Sequence, residues 1–132
     1  DPGEGDRALI NDLLDLMAKD GADFTNTFAN LNGASARDQF IDRDAFDVWA
    51  ARWQQRKSSD AVAIMAQANP QVIPRNHRVE EVISAGRNGD YAPFHALLNA
   101  VTAPFAPLTE ATAAFARAPS KDEQVTQTFC GT

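Results

Sequence analysis

Apolar residues recur along this chain at steps of three and four, the spacing of one face of an α-helix. Leu9, Leu13, Leu16 and Met17, with Ile10 and Leu14 alongside, form the first stripe. Asp6 is placed to cap it, and Asp20-Gly21 to end it, because glycine tolerates the left-handed backbone of a helix terminus. Phe24, Thr27, Phe28 and Leu31 repeat the spacing in a short second helix, closed by Asn32-Gly33. Residues 33–42 read as a loop with Phe40 and Ile41 tucked against the core. Phe46, Trp49, Ala50 and Trp53 make the third stripe, and two tryptophans on one face bury a large area. Arg52, Arg56 and Lys57 crowd its C-terminal end, where positive charge suits the helix dipole. Ser59 or Asp60 fits as the cap of a fourth helix carrying Val62, Ile64, Met65 and Ala66.

Asn69-Pro70 breaks that helix, because the residue before a proline is pushed out of the helical region, and Ile73-Pro74 repeats the break. A fifth helix carries Val79, Val82, Ile83 and Gly86, with Glu80 and Glu81 in or near its first turn and Asn88-Gly89 at its end. Asp90 fits as the cap of a sixth, with Phe94, Leu97, Leu98 and Val101 on one face and Pro93 tolerated in the first turn. After Pro104 the pattern weakens: Leu108 to Arg117 reads as a short helix or loop, and Pro119 to Thr132 as a mostly extended tail. No alternating strand pattern of useful length occurs. The fold class is therefore all-α, with about six helices in an irregular bundle and an extended C-terminal tail. The expected core gathers Trp49, Trp53, Phe24, Phe28, Leu13, Val82, Phe94 and Leu98. Residues 1–5 read as a linker or cut site, residues 6–103 as a helical domain and residues 104–132 as a proline-containing tail.

Composition narrows the function classes. With 132 residues, 44% hydrophobic and 23% charged, the chain is long enough for one domain with a real core. The net charge is −6 and unevenly spread: residues 1–47 hold eleven acids and four bases, residues 48–132 seven acids and eight bases. That balance argues against nucleic acid, whose phosphates select for Lys and Arg. No apolar run approaches a membrane span, and no signal-peptide pattern is present. The first residue is Asp1 rather than Met, so the expectation is of a processed chain or one cut from something longer. The single cysteine, Cys130, cannot form a disulfide within the chain, which fits a reducing compartment.

Candidate chemistry is sparse. His77, His95 and Cys130 are the soft-metal ligand types present, with no C-x-x-C or H-x-x-x-H pairing, so no metal site is expected. Gly86 to Asp90 lacks the strand and the lysine that a nucleotide loop needs. The acidic pairs Asp42 and Asp44, and Glu80 and Glu81, read as solvated charge. The sharpest polar cluster is Arg75-Asn76-His77-Arg78, where a rigid turn meets a helix N-terminus. Two readings stand there: Asn76 caps the helix while Arg75 and His77 hydrogen-bond to neighbouring helices, or Arg75, Asn76 and His77 dock onto another domain or a phosphate.

Three stretches taken together are not what helix formation alone produces. They are Asn69-Pro70 followed by Ile73-Pro74-Arg75-Asn76-His77, the Gly89-Asp90-Tyr91 step, and the closing Phe129-Cys130-Gly131-Thr132. With the leucine-rich helix before Asp23-Phe24-Thr25 and the pair Trp49 and Trp53, they resemble the C-terminal region of the selenoprotein O family of protein adenylyltransferases. The resemblance covers nearly the whole chain. It implies a kinase-like fold upstream that transfers AMP from ATP to Ser, Thr or Tyr hydroxyls of proteins, using ATP and Mg2+. The catalytic residues would lie in that upstream core, so none is expected here, and the partners would be that core and the parent's protein substrates. Cys130 resembles the family's terminal redox cysteine, although the chain ends Cys-Gly-Thr rather than Cys-Ser-Ser. The stretch Pro104 to Pro119 is also poorer in aromatics than the resemblance implies. A bacterial cytoplasmic location suits the Ala- and Arg-rich composition. The alternative is a free-standing, non-catalytic helical interaction module.

Overall fold

The computed structural model describes residues 3–128, and among these every regular element is helical. No helix of the described residues is long and apolar enough to cross a membrane. The chain divides into two compact units, Asp1–Asn69 and Pro70–Thr132.

The first unit contains α1 (Glu4–Asp20), α2 (Phe24–Asn30), a 3-10 helix (Ala34–Gln39), α3 (Arg43–Arg56) and α4 (Ala61–Ala68). Helix α1 starts one turn earlier than the pattern suggests. Its cap is Gly3, and the Asp6 carboxylate reaches back to accept the Gly3 N–H at 3.0 Å, satisfying a donor the helix cannot. Gly21 ends it with φ of 66°, and the Ala22 N–H donates to the Met17 carbonyl at 3.0 Å. Asp23 caps α2 by accepting the Asn26 N–H at 2.8 Å.

Leu9, Leu13 and Met17, four apart on α1, are buried with Leu31, Ala36, Phe40, Phe46 and Trp49. Burying each large side chain of this kind contributes about 2 kcal/mol. The rings run in series: Phe40 stacks on Phe46 at 4.6 Å, Phe46 meets Trp49 at 5.7 Å, and Trp49 stacks on Trp53 at 6.1 Å. Trp49 Nε1–H donates to the Leu9 carbonyl at 2.8 Å, which fixes α3 on α1. Around that bond, Asp6 pairs with Arg56, Asp12 with Arg52 and Asp42 with Lys19. Partner numbers fall along α3 as they rise along α1, so the helices run antiparallel.

Two expectations for this unit need correction. Phe24 is exposed: as the first residue of α2 it leans on Phe28 at 4.7 Å, and Thr27 and Leu31 take the inward positions. Residues 34–39 form a helix rather than a loop. Ala36 anchors it by burial, and Arg37 forks onto Asp47 of α3 at 2.8 and 3.0 Å. Phe40 is buried as expected, while Ile41 is exposed.

The second unit contains α5 (Asn76–Arg87), α6 (Ala92–Val101), α7 (Ala113–Ala116) and a 3-10 turn (Lys121–Glu123). Helices α5 and α6 form a hairpin through Gly89, whose φ is 82°. The Asp90 N–H bonds back to the Ala85 carbonyl, while the Asp90 carboxylate accepts the Ala92 N–H, so one residue closes α5 and opens α6. Val72, Ala100 and Ala116 are buried together, with Val101 and Phe115 against them. The segment after Pro104 thus returns to the unit through α7. On α6 the buried positions are Leu97 and Ala100, and Phe94 and Leu98, expected in the core, face solvent. They adjoin the buried stripe, about 60–100° around the helix from Leu97, on the edge of a wide apolar arc.

Candidate functional site

Pro70 and Pro74 hold the chain out of helical geometry between α4 and α5. In this segment the Gln71 N–H donates to the Pro104 carbonyl at 2.6 Å and the Arg75 N–H to the Ile73 carbonyl at 2.9 Å. The Arg75 carbonyl then accepts from the Arg78 and Val79 N–H groups, both at 3.0 Å, and α5 begins. Arg75 is therefore the cap residue, through its backbone, and Asn76 is the first helical residue rather than the cap. Arg75 and His77 are buried within this unit and Asn76 is exposed. Of the three docking candidates, Asn76 is the one whose side chain meets solvent.

His77 is 5% exposed, and its Nε2 has no hydrogen-bond partner among the described residues. Burial pushes its pKa below the usual value, with the positive charge of Arg78 adding to the effect. His77 also opens a row on α5, with Glu80, Glu81, Ser84, Ala85 and Asn88 at helical spacing. Together with Glu123 and Val125 this row lines an open groove of about 580 Å³.

Two of the groove's three carboxylates are held by arginines. Arg78 Nη1 forks onto both oxygens of Glu81 at 3.1 and 2.9 Å, and its Nη2 donates to the Ala114 carbonyl at 3.0 Å. Arg117 grips Glu123 in a two-point pair at 2.8 and 2.6 Å, and Glu123 also accepts the Ser120 N–H at 2.8 Å. The Arg117 guanidinium, with that N–H, holds the Glu123 carboxyl far below the usual carboxylate range. A carboxylate so paired stays ionised and cannot serve as a general acid. No three His, Cys, Asp or Glu side chains among the described residues converge to hold a metal.

Glu80 and Glu81 fall just past the first turn of α5, which starts at Asn76. Asp42 is more than solvated charge: it caps α3 through the Ala45 N–H at 3.1 Å and binds Lys19 at 2.9 Å. The Arg117–Glu123 clamp escaped the sequence reading, because a pair six apart in an irregular segment carries no periodic signal. Cys130, the redox candidate, lies outside the described residues.

No family model matches the chain. It is similar over nearly all its length to proteins named protein nucleotidyltransferase YdiU. The relative from a Ruegeria species is 51% identical over 131 residues, which is 98% of this chain and 28% of the relative. That from Roseobacter denitrificans is 57% identical over 129 residues, 96% of this chain and 27% of the relative. That from Bradyrhizobium diazoefficiens is 46% identical over 143 residues, 98% of this chain and 29% of the relative. The chain thus spans less than a third of the length of the curated relatives it matches.

Proposed function

We propose that this chain is the C-terminal helical region of a protein nucleotidyltransferase of the selenoprotein O family, one that moves AMP from ATP to Ser, Thr or Tyr hydroxyls of proteins. The supporting observation is identity of 57% to a named nucleotidyltransferase across 96% of the chain. The transfer itself, with its ATP and Mg2+, belongs to the kinase-like remainder of the longer polypeptide. These helices brace that remainder, and Arg75, Asn76 and His77 stiffen the turn that enters α5 and present it for docking. Cys130 supplies redox control by pairing with a cysteine of the remainder, two thiols losing two electrons and two protons to a cellular oxidant. The enzyme works in the bacterial cytoplasm on protein substrates.

The test is AMP transfer from labelled ATP by the longer polypeptide, with and without residues 1–132, under reducing and oxidising conditions. Activity that needs these residues, with a redox response that Cys130→Ser removes, is the expected result. A truncated enzyme that works equally well and ignores oxidant overturns the proposal.

A further inference from the structure

The second unit buries fewer apolar side chains than the first, although both expose large ones. Its buried apolar residues among those described are Val72, Leu97, Ala100 and Ala116, two of them alanines. Its exposed ones are larger: besides Ile83 at 36%, Tyr91 is 61% exposed, Phe94 44%, Leu98 41%, Phe105 50% and Leu108 42%. The last five fall in one run, Tyr91 to Thr109, that contains no Asp, Glu, Lys or Arg, in a chain that is 23% charged. Helix α6 lies within that run. The apolar arc of a helix normally packs against protein, and on α6 that arc runs on from the buried Leu97 and Ala100 to the exposed Phe94 and Leu98.

We propose that the outer side of α6, Phe94 and Leu98 with Tyr91 at its head, is covered by an uncharged apolar surface of the remaining polypeptide of the longer nucleotidyltransferase. This rests on the reading of the chain given above. The chemistry of the face narrows its occupant. A nucleic acid needs Lys and Arg to meet its phosphates, and an interfacial helix needs them beside lipid headgroups; the run has neither. Depletion of charge with aromatic enrichment is the signature of a permanent protein contact. The relatives supply a candidate for that contact, since more than two thirds of their length lies outside the matched region. A small unit with so thin a core also gains most from such cover.

Hydroxyl-radical footprinting of the unmutated protein, expressed from its full open reading frame, reads the face directly. The expected result is loss of oxidation at Phe94 and Leu98 to the level of Phe46 and Leu13, which are buried in the first unit, unchanged on dilution. Oxidation in keeping with their exposure overturns the proposal. So does protection that disappears on dilution, which assigns the face to a second copy, and so does a reading frame that adds nothing to these residues. AMP transfer measured on the same preparation separates the two claims: an inactive protein with a protected face sinks the activity alone, and an active protein with an oxidised face sinks the docking alone.

Discussion

At the residue scale, local pattern and burial part company where a polar side chain turns inward. Thr27 is 0% exposed and its Oγ1 has no partner among the described residues, so folding removes a hydroxyl from water with no bond in return. Valine matches its shape and helix propensity. Thr27→Val is therefore expected to stabilise the protein by about 1 kcal/mol, read as a higher denaturant midpoint with an unchanged slope. The sequence showed Thr27 at an inward step of α2 but gave no warning about its hydroxyl. The same limit applies at the candidate site. Arg75 and His77 stand in a polar string that left bonding to neighbouring helices and docking both open, and both are buried. His77 shares its groove with Glu123 and Val125 from the returning chain, which no local pattern carries.

At the scale of the element, starts and stops were the most readable features. Gly21 and Gly89 end their helices where expected, each with positive φ. A β-carbon at Gly89 meets open space, so the cost of Gly89→Ala is backbone strain alone, about 1 kcal/mol. Gly86, inside α5, is the counter-case. A β-carbon there meets Tyr91 at 3.7 Å, ordinary contact, so Gly86→Ala is expected to stabilise by about 0.5–1 kcal/mol through helix propensity. Thermal midpoints that move the same way for both substitutions would refute this account. Caps were less legible than stops. Gly3, Arg75 and Tyr91 occupy the N-cap positions where Asp6, Asn76 and Asp90 were expected. Asp6 and Asp90 still bond the helix start, from one to three residues away. A carboxylate reaches several backbone donors, so its presence marks a helix start without fixing the register.

At the scale of the whole molecule, acid is expected to destabilise in two steps. His77 has a folded pKa below its ordinary 6.5, chiefly through burial, so the unfolded chain binds that proton more readily. Stability is full above the unfolded value and falls as pH drops below it toward the folded one. Asp6, Asp42, Asp47 and Glu123 are lowered by hydrogen bonds to Arg56, Lys19, Arg37 and Arg117. Their contribution is present above the ordinary carboxylate values of 3.8 and 4.5 and is lost as pH falls through the folded ones. Denaturation midpoints from pH 8 to 3 should show both steps, and His77→Gln should remove the upper one. A flat profile between pH 7 and 5 would count against the burial of His77.

The sequence by itself determined the helical class, the breaks at Gly21, Pro70, Pro74 and Gly89, and the tryptophan stripe of α3. All of these are settled by interactions within a few residues, where periodicity and backbone stereochemistry act. Tertiary structure alone decided the division of the helices between two units, the inward turn of Arg75 and His77, and the clamp of Arg117 on Glu123. It also decided which face of α6 is buried. An apolar residue records that burial is favourable, but which face is covered depends on the chain that arrives from elsewhere, and Phe94 and Leu98 keep the apolar character of a face that these residues do not cover.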